Sequence, residues 1–163
     1  MSAPENAAAG GLPYVGLGLY WNDLEIGQKF RTVGRTVTEA DIVNFIGCTG
    51  MLEVLFTDME YLAQHAPMQG RVAPGALVYA FAEGLLTQAT MQHTGLAFLN
   101  MTLDVHDPTF AGDTIHVEVE VTEIRPTSKG NRGIVRTFNR IVNQKGETVI
   151  SYNPLRMMAG REK

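Results

Sequence analysis

Hydrophobic and polar positions alternate along the last third of the chain. This period of two predicts antiparallel strands that each bury one face. In the first of these strands the apolar positions are Ile115, Val117, Val119 and Val121. In the next strand the positions that share one parity are Ile134, Phe138 and Val142. A turn at residues 144–147 leads to a last strand, which we expect to run from Thr148 to Met157.

A long apolar stretch precedes these strands. Pro74 and Gly75 are expected to open a helix that runs from Ala76 to about Gln92, with Glu83 among its few polar residues. A helix that is apolar around most of its circumference has to be covered on several sides, by a sheet and by a partner subunit. The pattern therefore predicts an α+β fold in which an antiparallel sheet wraps a central helix.

The first half of the chain predicts a short strand and a second helix. The strand is expected from Phe30 to Val37, and the helix that follows is expected to end at Gly47. Thr38 and Asp41 have the spacing of a capping box, in which each side chain accepts a hydrogen bond from the other residue's backbone. Residues 1–19 are rich in Ala, Gly and Pro and predict a flexible N-terminal segment, followed by a single domain over residues 20–163.

Composition excludes several classes of function. The net charge is −4 and the basic residues are scattered, whereas nucleic-acid binding needs a basic stripe. No apolar run approaches the roughly 20 residues of a membrane-spanning helix. The N-terminus lacks the pattern of a secretory signal, and the single cysteine, Cys48, suits a reducing compartment. We therefore expect a cytoplasmic protein that binds neither nucleic acid nor membranes. The histidines lack metal-ligand spacing, so we expect no metal. We also expect no cofactor.

Five short motifs, spread over about residues 20–158, occur in an order that is typical of one family. They are Leu24–Phe30, Thr36–Asp41, Thr49-Gly50, Arg71–Gly75 and Pro108–Thr114. Together they resemble the MaoC-type dehydratases and (R)-specific enoyl-CoA hydratases. The resemblance implies a hotdog fold, an acyl-thioester ligand, and reversible addition of water across the double bond of a trans-2-enoyl-CoA.

The loop that carries the catalytic residues of that family departs from its pattern here. The family's loop is similar to Thr-Gly-Asp-x-Asn-Pro-(Leu/Ile)-His-x-Asp. In this chain Met51 occupies the position of the first Asp, and Phe56 that of the His. Neither side chain can transfer a proton, so the ordinary hydratase dyad is excluded. We expect Met51 and Phe56 to line the substrate pocket instead.

Two carboxylates of the loop are candidates for the missing chemistry. In extended backbone, residues i and i+2 point to the same side, so Glu53 and Asp58 would enter the space left by Met51 and Phe56. A Glu among apolar neighbours would be desolvated, which favours proton transfer near neutral pH. Asp58 is the weaker candidate, since the family has an acid there even when its dyad is intact. The alternative is that Glu53 faces solvent or pairs with Arg71.

The start of the central helix is the expected thioester site. The resemblance implies that a backbone N–H at this helix terminus polarises the thioester carbonyl, where free donors and the helix dipole converge. Gly75 has no side chain to obstruct a ligand, and Pro74 adjoins it. The alternative is a turn glycine that is needed only for its backbone freedom.

Three functional hypotheses remain open on the sequence. The first is a hydro-lyase that acts on an enoyl-CoA or acyl-CoA through Glu53 and Gly75, assisted by Asp58. The second is a catalytically inactive subunit that binds acyl-CoA, and the third is a hotdog acyl-CoA thioesterase. In each case we expect a homodimer or a higher homo-oligomer, because a single domain leaves a sheet edge and an apolar helix flank uncovered.

Overall fold

The computed structural model describes residues 12–65 and 70–161, which contain four α-helices, one short 3-10 helix and ten strands. The helices are Trp21–Asp23 (the 3-10 helix), Glu39–Thr49 (α1), Val54–Thr57 (α2), Met59–His65 (α3) and Gly75–Thr90 (α4). The strands are Lys29–Arg31 (β1), Arg35–Thr36 (β2), Val72–Ala73 (β3), Gly95–Asn100 (β4), Leu103–Val105 (β5), Thr109–Phe110 (β6), Thr114–Pro126 (β7), Arg132–Val142 (β8), Thr148–Tyr152 (β9) and Leu155–Ala159 (β10).

The main sheet is antiparallel at every pairing and packs against one long helix. Its principal order is β1-β7-β8-β10-β4, with β2 paired to β7 and β5 paired to β9, which also pairs with β8. Helix α4 packs on the sheet and buries Leu77, Val78, Ala82, Leu85, Leu86 and Thr90. The predicted α+β arrangement is therefore confirmed, although the helix begins one residue earlier and ends two residues earlier than expected.

Strand β7 follows the predicted alternation. Its buried face consists of Ile115, Val117, Val119 and Val121, as expected. The middle of strand β8 has the opposite parity from the predicted one. Asn139 lies opposite Val119 and Tyr152 and shares their buried face, whereas Phe138 lies opposite Glu120 and is 42% exposed. Residues directly opposite in a ladder point to the same face, so pairing overrides the apolar pattern that favoured Phe138.

The last predicted strand is two strands. It is interrupted at Asn153-Pro154, so that β9 pairs with β5 and β8, while β10 pairs with β8 and β4. Proline has no backbone N–H to contribute to a ladder, which accounts for the interruption. The predicted strand from Phe30 to Val37 is likewise divided into β1 and β2.

Helix α1 begins as predicted and ends later. Thr38 and Asp41 form both hydrogen bonds of the capping box, which confirms the predicted start. The helix continues past Gly47 to Thr49, and Gly50 ends it in the left-handed conformation with φ 72°. A residue without Cβ adopts that conformation at little cost, so Gly50 and not Gly47 is the stop signal.

The N-terminal segment contacts the fold before residue 20. Gly18 and Leu19 donate backbone hydrogen bonds to Gln92 and Thr90 at the end of α4, and a Cβ on Gly18 would lie 2.4 Å from the Thr90 carbonyl oxygen. Residues 1–11 of the expected flexible segment lie outside the described residues. Within the described part of the chain, no helix is long and apolar enough to cross a membrane.

Candidate functional site

The loop that follows α1 contains a helical turn. After Gly50, residues 51–53 lead into α2, Asp58 ends that helix, and α3 follows directly. The expected extended path from Phe56 to Asp58 is therefore wrong, because Phe56 and Thr57 belong to α2. Consequently the spacing argument that placed the two carboxylates beside the missing dyad does not hold at Asp58.

Glu53 is the N-cap of α2. Its Oε2 accepts a hydrogen bond of 2.8 Å from the backbone N–H of Leu55, and the residue is exposed. An N-cap side chain satisfies a helix donor that has no partner inside the helix. The expectation that apolar neighbours desolvate Glu53 is thus not met in the single chain. Glu53 also does not pair with Arg71, which binds Glu39 instead.

Asp58 caps the next helix. Its Oδ1 accepts hydrogen bonds of 3.0 Å from the backbone N–H groups of Glu60 and Tyr61 in the first turn of α3. Both loop carboxylates therefore hold short helices in place.

Met51 and Phe56 occupy different environments. Met51 is 37% exposed, whereas Phe56 is partly buried and packs against the central core. The Arg71 guanidinium donates to the backbone carbonyl of Phe56 and to the Glu39 carboxylate. Arg71 thus joins α1 and α2 to the segment that leads into α4, and it brings the loop beside the start of that helix.

Gly75 is the first residue of α4, and its backbone is helical. Leu77 and Val78 both donate to the carbonyl of Pro74, so the helix uses neither the Gly75 N–H nor the Ala76 N–H in its first turn. Gly75 does not have a positive φ, so its position does not demand glycine for backbone freedom. An added Cβ would meet Val105 Cγ2 at 3.7 Å, an ordinary contact. Pro74 is buried and Gly75 is exposed, which leaves the free donors accessible.

A charged cluster that the sequence analysis missed lies two turns further along α4. Glu83 accepts a hydrogen bond from Arg156 Nη2 on β10 and another of 3.0 Å from the Tyr152 hydroxyl on β9. Arg156 is 6% exposed. Burial raises the pKa of Tyr152, and the negative charge of Glu83 raises it further. The sequence contains one signal for this ion pair: Glu83 is an isolated acid in an apolar helix, and Arg156 is a base in an apolar strand.

Asn139 adjoins this cluster on the buried face of β8. It is fully buried, and neither Nδ2 nor Oδ1 has a hydrogen-bond partner among the described residues. The amide lies close enough to Tyr152 to lower the pKa of the hydroxyl somewhat, but the two groups do not reach hydrogen-bond geometry. Nothing in the sequence pattern distinguished Asn139, because it lies off the parity that Ile134, Phe138 and Val142 share.

The antiparallel sheet packed on one long helix is the fold of a hotdog protein. A protein from Mycobacterium tuberculosis that is described as a double hotdog fold superposes with a TM-score of 0.83 at 24% identity, covering 92% of this chain and 46% of that one. Within residues 12–65 and 70–161, no group of three or more His, Cys, Asp or Glu side chains could hold a metal ion.

Residues 22–141 match the family model of the MaoC like domain, and this match identifies the family. The chain belongs to this family of MaoC-like dehydratases and enoyl-CoA hydratases. It is 27% identical to an (R)-specific enoyl-CoA hydratase of Rhodospirillum rubrum over 87% of this chain and 93% of that protein. It is also 27% identical to a 3-hydroxybutyryl-CoA dehydratase of Methylorubrum extorquens over 70% of this chain and 71% of that protein.

Proposed function

We propose that this protein binds the thioester group of an acyl-CoA or enoyl-CoA at the start of α4 and does not hydrate it by the dyad of its family. The observation that carries the proposal is the helical, exposed Gly75. Its N–H has no hydrogen-bond partner inside the helix. It lies at the positive end of the helix dipole, where it would donate to the carbonyl oxygen of an entering thioester. The relatives that are named as hydratase and dehydratase act on CoA thioesters, which supports the same ligand class here.

The loop argues for binding without ordinary hydration. Met51 and Phe56 supply no group that exchanges protons, and water addition needs proton transfer to and from the substrate. Asp58 is engaged by two backbone donors. The proposed role is that of an acyl-CoA-binding hotdog subunit.

A second candidate function is a slow hydration that uses Glu53. The Glu53 carboxylate is held by Leu55 N–H through Oε2, and this N-cap gives the side chain a defined direction within the loop. One fixed carboxylate is sufficient to pass a proton out and back in one hydratase cycle. Glu53 is exposed and its carboxylate already caps α2, which makes this candidate the weaker of the two.

The test measures binding and chemistry on the same protein. Calorimetry with butyryl-CoA is expected to detect binding in the wild type. Gly75→Ala is expected to weaken it about tenfold or more, since a methyl group would stand where the thioester approaches. Gly84→Ala is the matched control, because Gly84 lies in the same helix with no atom within 4 Å of an added Cβ. Both changes should leave the fold intact, since Ala is favoured over Gly inside a helix.

Incubation with crotonyl-CoA separates the candidates. Binding with neither water addition nor free CoA supports the binding subunit. Water addition that falls at least ~100-fold in Glu53→Gln supports the second candidate, because that is the usual scale for a lost general acid or base. Release of free CoA would instead indicate a thioesterase. Absence of any binding, or equal weakening by Gly75→Ala and Gly84→Ala, would overturn the proposed site.

A further inference from the structure

One face of α4 joins Gly75 to the charged cluster at Glu83. Tyr79 lies one turn after Gly75 and one turn before Glu83, so the three residues share this face of the helix. A side chain on a helix leans back toward the helix N-terminus, and that of Tyr79 therefore leans toward the turn that begins at Gly75. An acyl chain that runs inward along this face from a thioester at Gly75 meets the Tyr79 ring first.

Contacts with the sheet hold Tyr79 in this position. Its ring is half-buried, packs against the core, and makes an edge-to-face contact with the Tyr152 ring at a centroid distance of 5.3 Å. Aromatic pairs favour this geometry. Burial raises the pKa of Tyr79, and the negative charge of Glu83 raises it further, so the hydroxyl lies near the charged cluster. Tyr79 thus closes the space between α4 and β9.

Further contacts cross the helix–sheet interface behind Tyr79. The Tyr152 hydroxyl donates to Glu83, which also binds Arg156. The Arg156 guanidinium in turn lies 5.2 Å from the centre of the Phe98 ring on β4. Tyr152 and Arg156 are almost fully buried. These contacts form a continuous barrier from helix to sheet, which we call the interface wall and which consists of Tyr79, Tyr152, Glu83 and Arg156.

An open groove of about 360 Å³ lies on the far side of the interface wall. It is bounded by Glu83 and Arg156 and extends past Met91 toward Gly95. An alkyl chain at Gly75 could reach this groove only by displacing the Tyr79 ring and separating groups that are hydrogen-bonded to one another. A buried charge that loses its partner is strongly destabilised, and an alkyl chain offers no hydrogen bond in exchange.

We propose that the interface wall restricts this protein to short-chain acyl-CoA thioesters and that Tyr79 sets the limit. This inference rests on the proposed function and names its substrate class. One helical turn, about 6 Å, separates Gly75 from Tyr79 and accommodates an acyl group of about four carbons. Further carbons stay in water outside the protein, so they contribute nothing to the affinity.

The test compares butyryl-CoA with octanoyl-CoA by calorimetry. The wild type is expected to bind octanoyl-CoA no more tightly than butyryl-CoA, because the extra methylene groups find no space. Tyr79→Ala removes the ring, and octanoyl-CoA is then expected to bind at least ~10-fold more tightly than butyryl-CoA, since each buried methylene group adds to the affinity. A wild type that already shows this preference for octanoyl-CoA would overturn the inference and leave the thioester site intact.

Phe81→Ala is the matched control. Phe81 is an aromatic residue of the same helix, but its ring lies 3.5 Å from the Arg35 guanidinium, on a different face from Gly75. This variant should keep the wild-type order of affinities. Tyr79→Leu guards against loss of the fold, because Leu retains apolar packing, and it should shift the order in the same direction as Tyr79→Ala. An unchanged order in both Tyr79 variants, or an equal shift in Phe81→Ala, would overturn the role of Tyr79.

The outcomes separate this inference from the proposed function. If neither ester binds the wild type, the thioester site is wrong and the chain-length limit is wrong with it. If both bind and octanoyl-CoA binds more tightly, only the limit is wrong. A crystal structure with butyryl-CoA should show the terminal methyl group against the Tyr79 ring. A terminal methyl group that points away from α4 would overturn the inference.

Discussion

Arg156 on β10 donates a hydrogen bond to Glu83 on α4 and thereby forms an ion pair across the main helix–sheet interface. The Tyr152 hydroxyl binds the other oxygen of the same carboxylate. Two charges that are buried at such an interface lose their hydration, and the contact between them offsets this loss. The complete pair therefore changes the free energy of unfolding little. Removal of one partner destabilises the protein strongly, because the other charge is left buried and unpaired.

Glu83→Gln is therefore expected to destabilise the protein by about 3 kcal/mol, at the lower end of the range for a broken buried pair. The lower end applies because Gln retains the hydrogen bond with Tyr152 and because the Glu83 side chain is 19% exposed. Urea unfolding measures the change. Glu83→Leu combined with Arg156→Met and Tyr152→Phe should return close to wild-type stability, because the triple variant leaves neither a charge nor the Tyr152 hydroxyl without a partner.

The control for this pair is Glu123→Gln. Glu123 pairs with Arg125 and Arg136 on the sheet surface, where the side chains of Glu123 and Arg125 are exposed and that of Arg136 is partly exposed. Exposed pairs contribute roughly 0–1 kcal/mol, so this change should be nearly silent. A Glu83→Gln protein as stable as Glu123→Gln would show that the ion pair across the interface contributes nothing.

The dyad of the family can be rebuilt on this scaffold. Met51→Asp combined with Phe56→His is expected to create hydration of crotonyl-CoA above the wild-type rate, measured as loss of the enoyl absorbance. Phe56 packs against the core, so the double variant should also unfold at a lower urea concentration. Met51→Asn with Phe56→His has the same shape without the acid and should stay inactive; equal rates in the two double variants would contradict the prediction.

The edge strand β4 is expected to pair with a second copy of the chain. Every residue of β4 is exposed in the single chain, including Leu96, Phe98 and Leu99. An open edge with exposed apolar residues is typical of a subunit contact. Sedimentation should give about twice the 17.8 kDa of one chain. Leu99→Lys should shift the mass toward the monomer, whereas Val33→Lys, which is exposed away from this edge, should not.

The capping box at the start of α1 predicts a pH dependence of stability. Hydrogen bonds from the Thr38 side chain and backbone, together with the charge of Arg35, hold the pKa of Asp41 below its usual range. The wild type should therefore be more stable than Asp41→Asn at neutral pH. This advantage is fully present above the ordinary Asp pKa of about 3.9 and is lost as the pH falls through the lowered pKa of the folded state.

The measurement is urea unfolding of the wild type and Asp41→Asn at several pH values. In a Thr38→Val background the difference in stability that Asp41→Asn causes should shrink, because the side-chain hydrogen bond that lowers the pKa is gone. A difference that persists unchanged at the most acidic pH would contradict the assignment.

Local sequence signals determined the parts of this protein that depend on near neighbours. The capping box at Thr38, the alternation of β7, and the apolar helix before it all follow from contacts within a few residues, and each was predicted at nearly its observed position. The order of the family motifs likewise indicated the hotdog fold, because the motifs mark the ends of these same elements.

Tertiary structure alone decided which face of β8 is buried and which groups meet at the site. Phe138 had the stronger apolar pattern, but the register with β7 and β9 turned Asn139 inward. Glu83 and Arg156 are 73 residues apart, so no local pattern could pair them. Glu53 caps α2 only because the loop closes into a helical turn. The register of β8 and the contact between Glu83 and Arg156 both depend on how the whole sheet packs against α4. No stretch of neighbouring residues contains that information.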